Sequence, residues 1–250
     1  MIEIEDHGAI RTLKLARPPV NALNRELMQR LDAAITAAPA AGARGLIITG
    51  AAGRFCAGLD VQELLSLEEA GLIDFLGTFF GLLSHLAASP IPVAAAINGH
   101  SPAGGAVLSL FCDRRVMAAG EYRIGLNEVQ VGLFPGATIH AVLARIVGPR
   151  VAAEILPAGE LLEASAALGI GLVDELAPHA EVESQARAWL TRMLALPPES
   201  YALTRQLVRA DLVALMRQHG GAELADAAKQ WRSPETLATL RALVARLARR

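Results

Sequence analysis

The 250-residue chain is 53% hydrophobic but only 4% aromatic, and 23 basic against 25 acidic residues leave a formal net charge of −2. That is enough apolar material for one sizeable core, built mainly from Ala, Leu, Val and Ile, with a small appendage. No basic stripe runs along the chain, which argues against nucleic-acid binding as its main task, and the arginines between Arg241 and Arg250 read as the solvated face of a terminal helix.

The cysteines, Cys56 and Cys112, stand far apart in apolar surroundings, with no C-x-x-C pair and no His/Cys cluster at zinc-ligand spacing. Both are expected to be small buried residues in a reducing compartment, and no metal site is expected. The opening Met1-Ile2-Glu3-Ile4-Glu5 is acidic and alternating, unlike a signal peptide or a basic amphipathic presequence, and no apolar stretch is expected to cross a membrane. The expectation is a soluble, cytoplasmic protein.

In chain order, the first elements are two short strands around the turn Asp6-His7-Gly8, the second ended by Arg17-Pro18-Pro19. Asn24 is placed to cap a helix whose apolar residues Leu27, Leu31 and Ile35 keep helical spacing. Gly45-Leu46-Ile47-Ile48-Thr49 predicts a short buried strand, followed by a loop from Gly53 to Asp60 and two helical stretches, through Leu65 and from Ile73 to Leu86. Val93 to Ile97 reads as a second buried strand, Asn98 to Ala103 as a turn, and Gly104 to about Phe111 as an apolar helix. Further strands are expected at Arg115 to Ala118 and Tyr122 to Ile124, so strand and helix alternate as in an α/β core. From Gly136 onward the pattern is almost all helix. The last helix begins at Ser233-Pro234-Glu235, a cap with proline in the first turn, and its stripe of Leu237, Leu240, Val244 and Leu247 needs a partner surface.

Two loops share a design of strand, small residues and helix start: Cys56-Ala57-Gly58-Leu59-Asp60 and Pro102-Ala103-Gly104-Gly105. Small side chains let a ligand approach the backbone, and helix starts offer unpaired N–H donors. Two such donors converging on one carbonyl oxygen make an oxyanion hole. Downstream, Glu128 lies within Ile124-Gly125-Leu126-Asn127-Glu128-Val129-Gln130-Val131-Gly132, an ionisable side chain in apolar company, where lost hydration raises a carboxylate's basicity.

Together these segments resemble the crotonase (enoyl-CoA hydratase/isomerase) superfamily. The resemblance extends to Pro19-Val20-Asn21-Ala22-Leu23-Asn24, Ile97-Asn98-Gly99, Cys112-Asp113-Arg114-Arg115, Gly169-Ile170-Gly171-Leu172-Val173-Asp174 and a basic helix around Thr204-Arg205. It implies a spiral of ββα units over residues 1–190, and a helical region over 191–250 that covers coenzyme A and packs across subunits in trimers or dimers of trimers. It also implies an acyl-CoA thioester as substrate, with no separate cofactor. By position, the N–H groups of Leu59 and Gly104 correspond to oxyanion-hole donors, and Cys56, Ala57, Gly58, Leu59, Asp60 and Ala103 to the thioester and coenzyme A site. Asp60 reads as a cap that orients its loop, and Asp113 as a buried structural partner. Asn127 either shapes the carboxylate's surroundings or forms a turn.

One position departs. Hydratases of this superfamily carry a glutamate where this chain has Val107, and a second where it has Glu128. Adding water draws on two carboxylates, whereas one carboxylate beside an oxyanion hole suits moving a proton from one carbon to another. The arrangement is similar to that of mitochondrial-type Δ3,Δ2-enoyl-CoA isomerases, with Glu128 as the sole base. Other readings are a hydratase-like acyl-CoA enzyme, a non-catalytic scaffold of the same fold, and a serine hydrolase built on Gly99-His100-Ser101-Pro102-Ala103. Among the six histidines, His100 and His140 are the ones considered for a place near the pocket, against surface or capping roles.

Overall fold

The computed structural model describes residues 1–218 and 222–247; Arg249 and Arg250 of the basic terminus lie outside the described residues. Strands β1 (Ile2–His7) and β2 (Ile10–Leu15) form an antiparallel hairpin. They are followed by α1 (Arg25–Ala37), β3 (Gly45–Thr49), β4 (Gly53–Arg54), α2 (Val61–Ser66), α3 (Glu69–Ala88), β5 (Val93–Ile97), β6 (Gly99–Pro102), α4 (Gly104–Leu110), β7 (Arg114–Ala118) and β8 (Arg123–Gly125). After a 3-10 turn at Glu128–Val131 come α5 (Ala137–Val147), α6 (Pro149–Ala158), β9 (Leu162–Glu163), α7 (Ala164–Gly169), β10 (Glu175–Ala177), α8 (Val182–Leu194), α9 (Pro198–Gln218), α10 (Ala222–Trp231) and α11 (Pro234–Leu247).

Consecutive strands divide between two sheets. One has the order β1-β2-β3-β5-β7-β10 and the other β4-β6-β8-β9. Each of the pairs β3–β4, β5–β6 and β7–β8 thus sends its first strand to the larger sheet and its second to the smaller, the expected spiral of ββα units. Every residue of β3 and β5 is buried, because both faces of the large sheet are covered. Leu46, Ile48, Val93, Ala95 and Ile97 face the main core with α1, α3 and α4, while Ile47, Ala94 and Ala96 face Val182, Ala186 and Leu190 of α8. The alternation follows from the two-residue period of a strand.

The 98–103 segment, read as a turn, contains strand β6 instead. Its partners are β4 and β8, distant in sequence, and Gly99 lies so near Gly53 that a Cβ there would stand 1.9 Å from the Gly53 carbonyl carbon. The mostly helical stretch after Gly136 also holds two strands. β9 pairs with β8 and β10 with β7, and both are too short to show an alternating pattern.

α3 departs from expectation in another way: it is long and apolar enough to cross a membrane by length and composition. In the fold, Leu72, Phe75, Leu76, Phe79, Leu82, Leu83 and Leu86 bury that apolar surface in the core, where α3 packs against α1, α9 and α10. Of the α11 stripe, Leu240 is buried, Leu237 and Val244 are half-buried, and Leu247 is exposed.

A buried ion cluster ties α9 to the core. The Asp113 carboxylate accepts two bonds from Arg205, at 2.9 and 2.8 Å, one from Arg209 at 3.1 Å, and one from the Val93 N–H at 2.8 Å. Arg209 also donates to the carbonyls of Leu86, Ala87 and Phe111. Removing the one carboxylate leaves two buried guanidinium groups without a counter-charge. Asp113→Ala is therefore expected to cost about 3–5 kcal/mol in urea unfolding; a loss under about 1 kcal/mol contradicts this account.

Candidate active site

Three parallel strands deliver the site. β4 pairs with β6 and β6 with β8, all in the same direction, so the chain leaves their carboxyl ends on one edge of the small sheet. After β4 comes the loop carrying Leu59, after β6 the start of α4 at Gly104, and after β8 the turn carrying Glu128. Ligands in sheets of parallel strands bind where such ends converge.

The first loop is held from below. Leu23 N–H donates to the Gly58 carbonyl at 2.7 Å and Asp60 N–H to the Leu23 carbonyl at 3.0 Å, forming a parallel bridge between Leu23 and Leu59. In that pattern the flanking residues bond to Leu23, and the N–H of Leu59 itself points to the other side. The Asp60 carboxylate accepts from the N–H groups of Gln62 and Glu63, capping α2, and from Arg17 at 2.6 Å. Asn21 is buried and donates to the Phe55 carbonyl at 3.1 Å, while Ala57 N–H donates to the Val20 carbonyl. Arg17 and Asn21 are thus supports of this loop, roles that sequence reasoning missed. The signal was Asn21, a polar residue among Pro, Val, Ala and Leu.

The second loop crosses the first. Ala103 takes φ 48°, ψ −123°, a conformation costing an alanine about 1–3 kcal/mol, and its N–H donates to the Gly125 carbonyl of β8 at 2.8 Å. A Cβ on Gly104 would stand 3.2 Å from both the Gly58 Cα and the Leu59 N, a contact tight enough that the two chains would have to give by a few tenths of an ångström. Among the described residues, neither the Leu59 nor the Gly104 N–H donates to a backbone acceptor.

Glu128 opens the 3-10 turn at 7% exposure, and its Oε2 is buried with no hydrogen-bond partner. Burial pushes its carboxyl up to about 7, opposed only by its own backbone N–H. No cation pairs with it among the described residues. The Asn127 Oδ1 beside it is also buried and unpartnered, and its backbone carbonyl accepts from Gln130 within the turn. Val107, one turn into α4, is buried and offers only methyl groups.

Other sequence candidates fall outside the chemistry. Burial pushes the Cys56 and Cys112 thiols up to about 12, which leaves both unreactive. Ser101 is wholly buried, and neither a histidine nor a carboxylate bonds to its Oγ, which removes the serine hydrolase reading. The exposed His100 accepts from the Arg123 N–H and packs edge-on against Tyr122, fastening the small sheet. His140 is exposed on α5. Among the described residues no group of three or more His, Cys, Asp or Glu gathers to hold a metal ion.

The enoyl-CoA hydratase/isomerase family profile matches residues 5–228. The chain belongs to that family. The mitochondrial enoyl-CoA delta isomerase 1 of Mus musculus is 35% identical over 212 residues, covering 84% of this chain and 73% of its own. A putative enoyl-CoA hydratase of Thermus thermophilus is also 35% identical, over 208 residues, covering 82% and 79%. The crystal structure of human mitochondrial Δ3,Δ2-enoyl-CoA isomerase superimposes with a TM-score of 0.95 at 28% identity, over 99% of this chain and 98% of that one. This family member is therefore similar to proteins named for either reaction, isomerisation or hydration.

Proposed function

We propose that the protein is a Δ3,Δ2-enoyl-CoA isomerase that acts through Glu128 alone. The observation that carries this is the unpaired, buried Glu128 carboxylate beside two free N–H donors, with valine at position 107, where the family resemblance places a second carboxylate. A 3-enoyl-CoA binds with its thioester oxygen on the N–H groups of Leu59 and Gly104. Glu128 takes a proton from C2, and the negative charge of the dienolate collects on that oxygen, where fixed donors stabilise it. The same carboxyl group, now protonated, gives its proton to C4, and the double bond ends between C2 and C3. Electrons and protons balance without a cofactor. Cys56, Ala57, Gly58, Asp60 and Ala103 shape the coenzyme A and thioester path, and Asn127 the surroundings of the base.

The base must be ionised in the free enzyme. With its carboxyl near 7, kcat/KM is expected to rise with pH through an acid limb centred near 7, not near the ordinary 4.5. A limb at 4.5 would mean the group is hydrated and the site differently built. The direct test of the reaction is purified protein with 3-hexenoyl-CoA, following the absorbance of the conjugated thioester. Its appearance is expected; hydration of 2-hexenoyl-CoA without isomerisation of the 3-enoyl thioester sinks the reading.

A homotrimer is part of this proposal. Leu203, Leu207 and Val208 of α9 are 60%, 75% and 57% exposed, an apolar face of the kind that marks subunit contact. Light scattering of the purified chain reads the assembly directly, and a cytoplasmic location remains the accompanying expectation.

A further inference from the structure

The turn that carries Glu128 is gripped from outside by the last two helices. Leu133 N–H closes the turn onto the Glu128 carbonyl at 2.9 Å. The next backbone groups are taken by side chains about a hundred residues away in sequence. The Gln230 amide lies along the chain as a neighbouring strand would: its Nε2 donates to the Gly132 carbonyl at 3.3 Å, and its Oε1 accepts from the Phe134 N–H at 3.3 Å. The Thr236 hydroxyl donates to the same Gly132 carbonyl at 2.7 Å, and the Trp231 indole N–H donates to the Phe134 carbonyl at 3.1 Å.

The Thr236 side chain is itself held in place. The Ser233 Oγ accepts from the Thr236 N–H at 3.2 Å and caps α11, which orients the Thr236 side chain. Gly132 passes so close to α11 that a Cβ on it would stand 3.3 Å from the Thr236 Cα. On its other side the helix pair is anchored near the first loop. Arg232 donates to the Leu67 carbonyl and to the Glu68 carboxylate, and α11 packs against α2, the helix capped by Asp60. The α10–α11 pair therefore spans the distance between the base turn and the helix that follows the Leu59 donor. Thr236 is 1% exposed, so it does not itself meet substrate.

We propose that Gln230, Trp231 and Thr236 are positioning residues, which set the Glu128 carboxylate against the Leu59 and Gly104 donors by clamping the backbone from Gly132 to Phe134. This rests on Glu128 being the base. The bonds from Thr236 and Trp231 are part-buried, so moving the turn away from them costs more than breaking the solvent-exposed pair from Gln230. A base misplaced by about 1 Å loses on the order of a hundredfold in rate, which makes the clamp visible in turnover before it is visible in stability.

The test compares Thr236→Val, Thr236→Ser, Gln230→Leu and Glu128→Gln with the unaltered protein on 3-hexenoyl-CoA, with thermal unfolding and light scattering of each. Thr236→Val and Gln230→Leu are expected to lower kcat by about 10- to 100-fold with KM within about twofold, while Thr236→Ser, which keeps the hydroxyl, stays near the original kcat. Three results overturn the clamp: kcat unchanged within about twofold in both variants, Thr236→Ser as impaired as Thr236→Val, or losses that merely follow loss of folded protein. Glu128→Gln separates the two claims. If it stays active, the reading of the base fails; if it is inactive while Thr236→Val is fully active, the clamp alone fails.

Discussion

Glu128→Gln is expected to lower kcat/KM for 3-enoyl-CoA by about 10²–10⁴-fold, the usual contribution of a positioned general base, and at the same time to make the protein more stable above pH 7. The two effects have one cause. Folding takes the carboxyl from 4.5 to about 7, because the charged form loses water and gains only its own backbone N–H in return. Below pH 4.5 the group is protonated in both states and contributes no difference. As pH rises from 4.5 to 7 the unfolded chain ionises while the folded one holds its proton, and stability falls. Above 7 the folded protein carries a buried charge at a cost on the order of 3 kcal/mol. Gln is never charged, so this pH-dependent loss is absent from the variant. Urea unfolding of both proteins at pH 4 and pH 8 should show a gain from the substitution at pH 8 that shrinks at pH 4. A variant that is inactive but equally stable at both pH values would show that Glu128 is solvated in the folded protein.

That coupling explains why Glu128 was legible in the sequence while its surroundings were only partly so. An ionisable residue among Ile, Gly, Leu and Val announces a desolvated charge, and apolar runs such as Leu46-Ile47-Ile48 and Val93 to Ile97 announce buried strands. Asn24 and Ser233 marked helix starts because a cap acts over three residues; the Leu27 N–H donates to the Asn24 Oδ1 at 2.9 Å. What stayed hidden depends on pairing across long separations. β6 looks like a turn until Gly53 and Gly125 lie beside it, and β9 and β10 exist only because β8 and β7 offer edges. The same holds for the Arg17–Asp60 contact, and for Gln230 and Thr236, whose spacing from Gly132 has no local signature. The convergence of β4, β6 and β8 is likewise a property of the sheet, visible in none of the three segments alone.

Gly104→Ala is expected to cost about 10²–10³-fold in kcat/KM while leaving the fold in place, the loss typical of removing one oxyanion donor. The added methyl would lie 3.2 Å from the Leu59 N and 3.2 Å from the Gly58 Cα, where an oxygen must approach both donors. It therefore crowds the hole while leaving the Glu128 side chain itself unaltered. The backbone at Gly104 is helical, and alanine suits a helix better than glycine, so the crowding is offset in part by propensity. Gly105→Ala is the informative contrast, since its Cβ would stand 2.2 Å from the Cys56 carbonyl oxygen, and neither loop can accommodate that without moving. Gly104→Ala should consequently unfold within a few degrees of the original protein and be nearly inactive, whereas Gly105→Ala should lose both activity and thermal stability. Binding of a non-reactive acyl-CoA adds the deciding measurement. The dienolate oxygen carries more charge than the ground-state thioester, so Gly104→Ala should weaken that binding far less than it lowers kcat. Full activity in Gly104→Ala would mean the charge is stabilised elsewhere and that the crossing of the two loops serves packing alone.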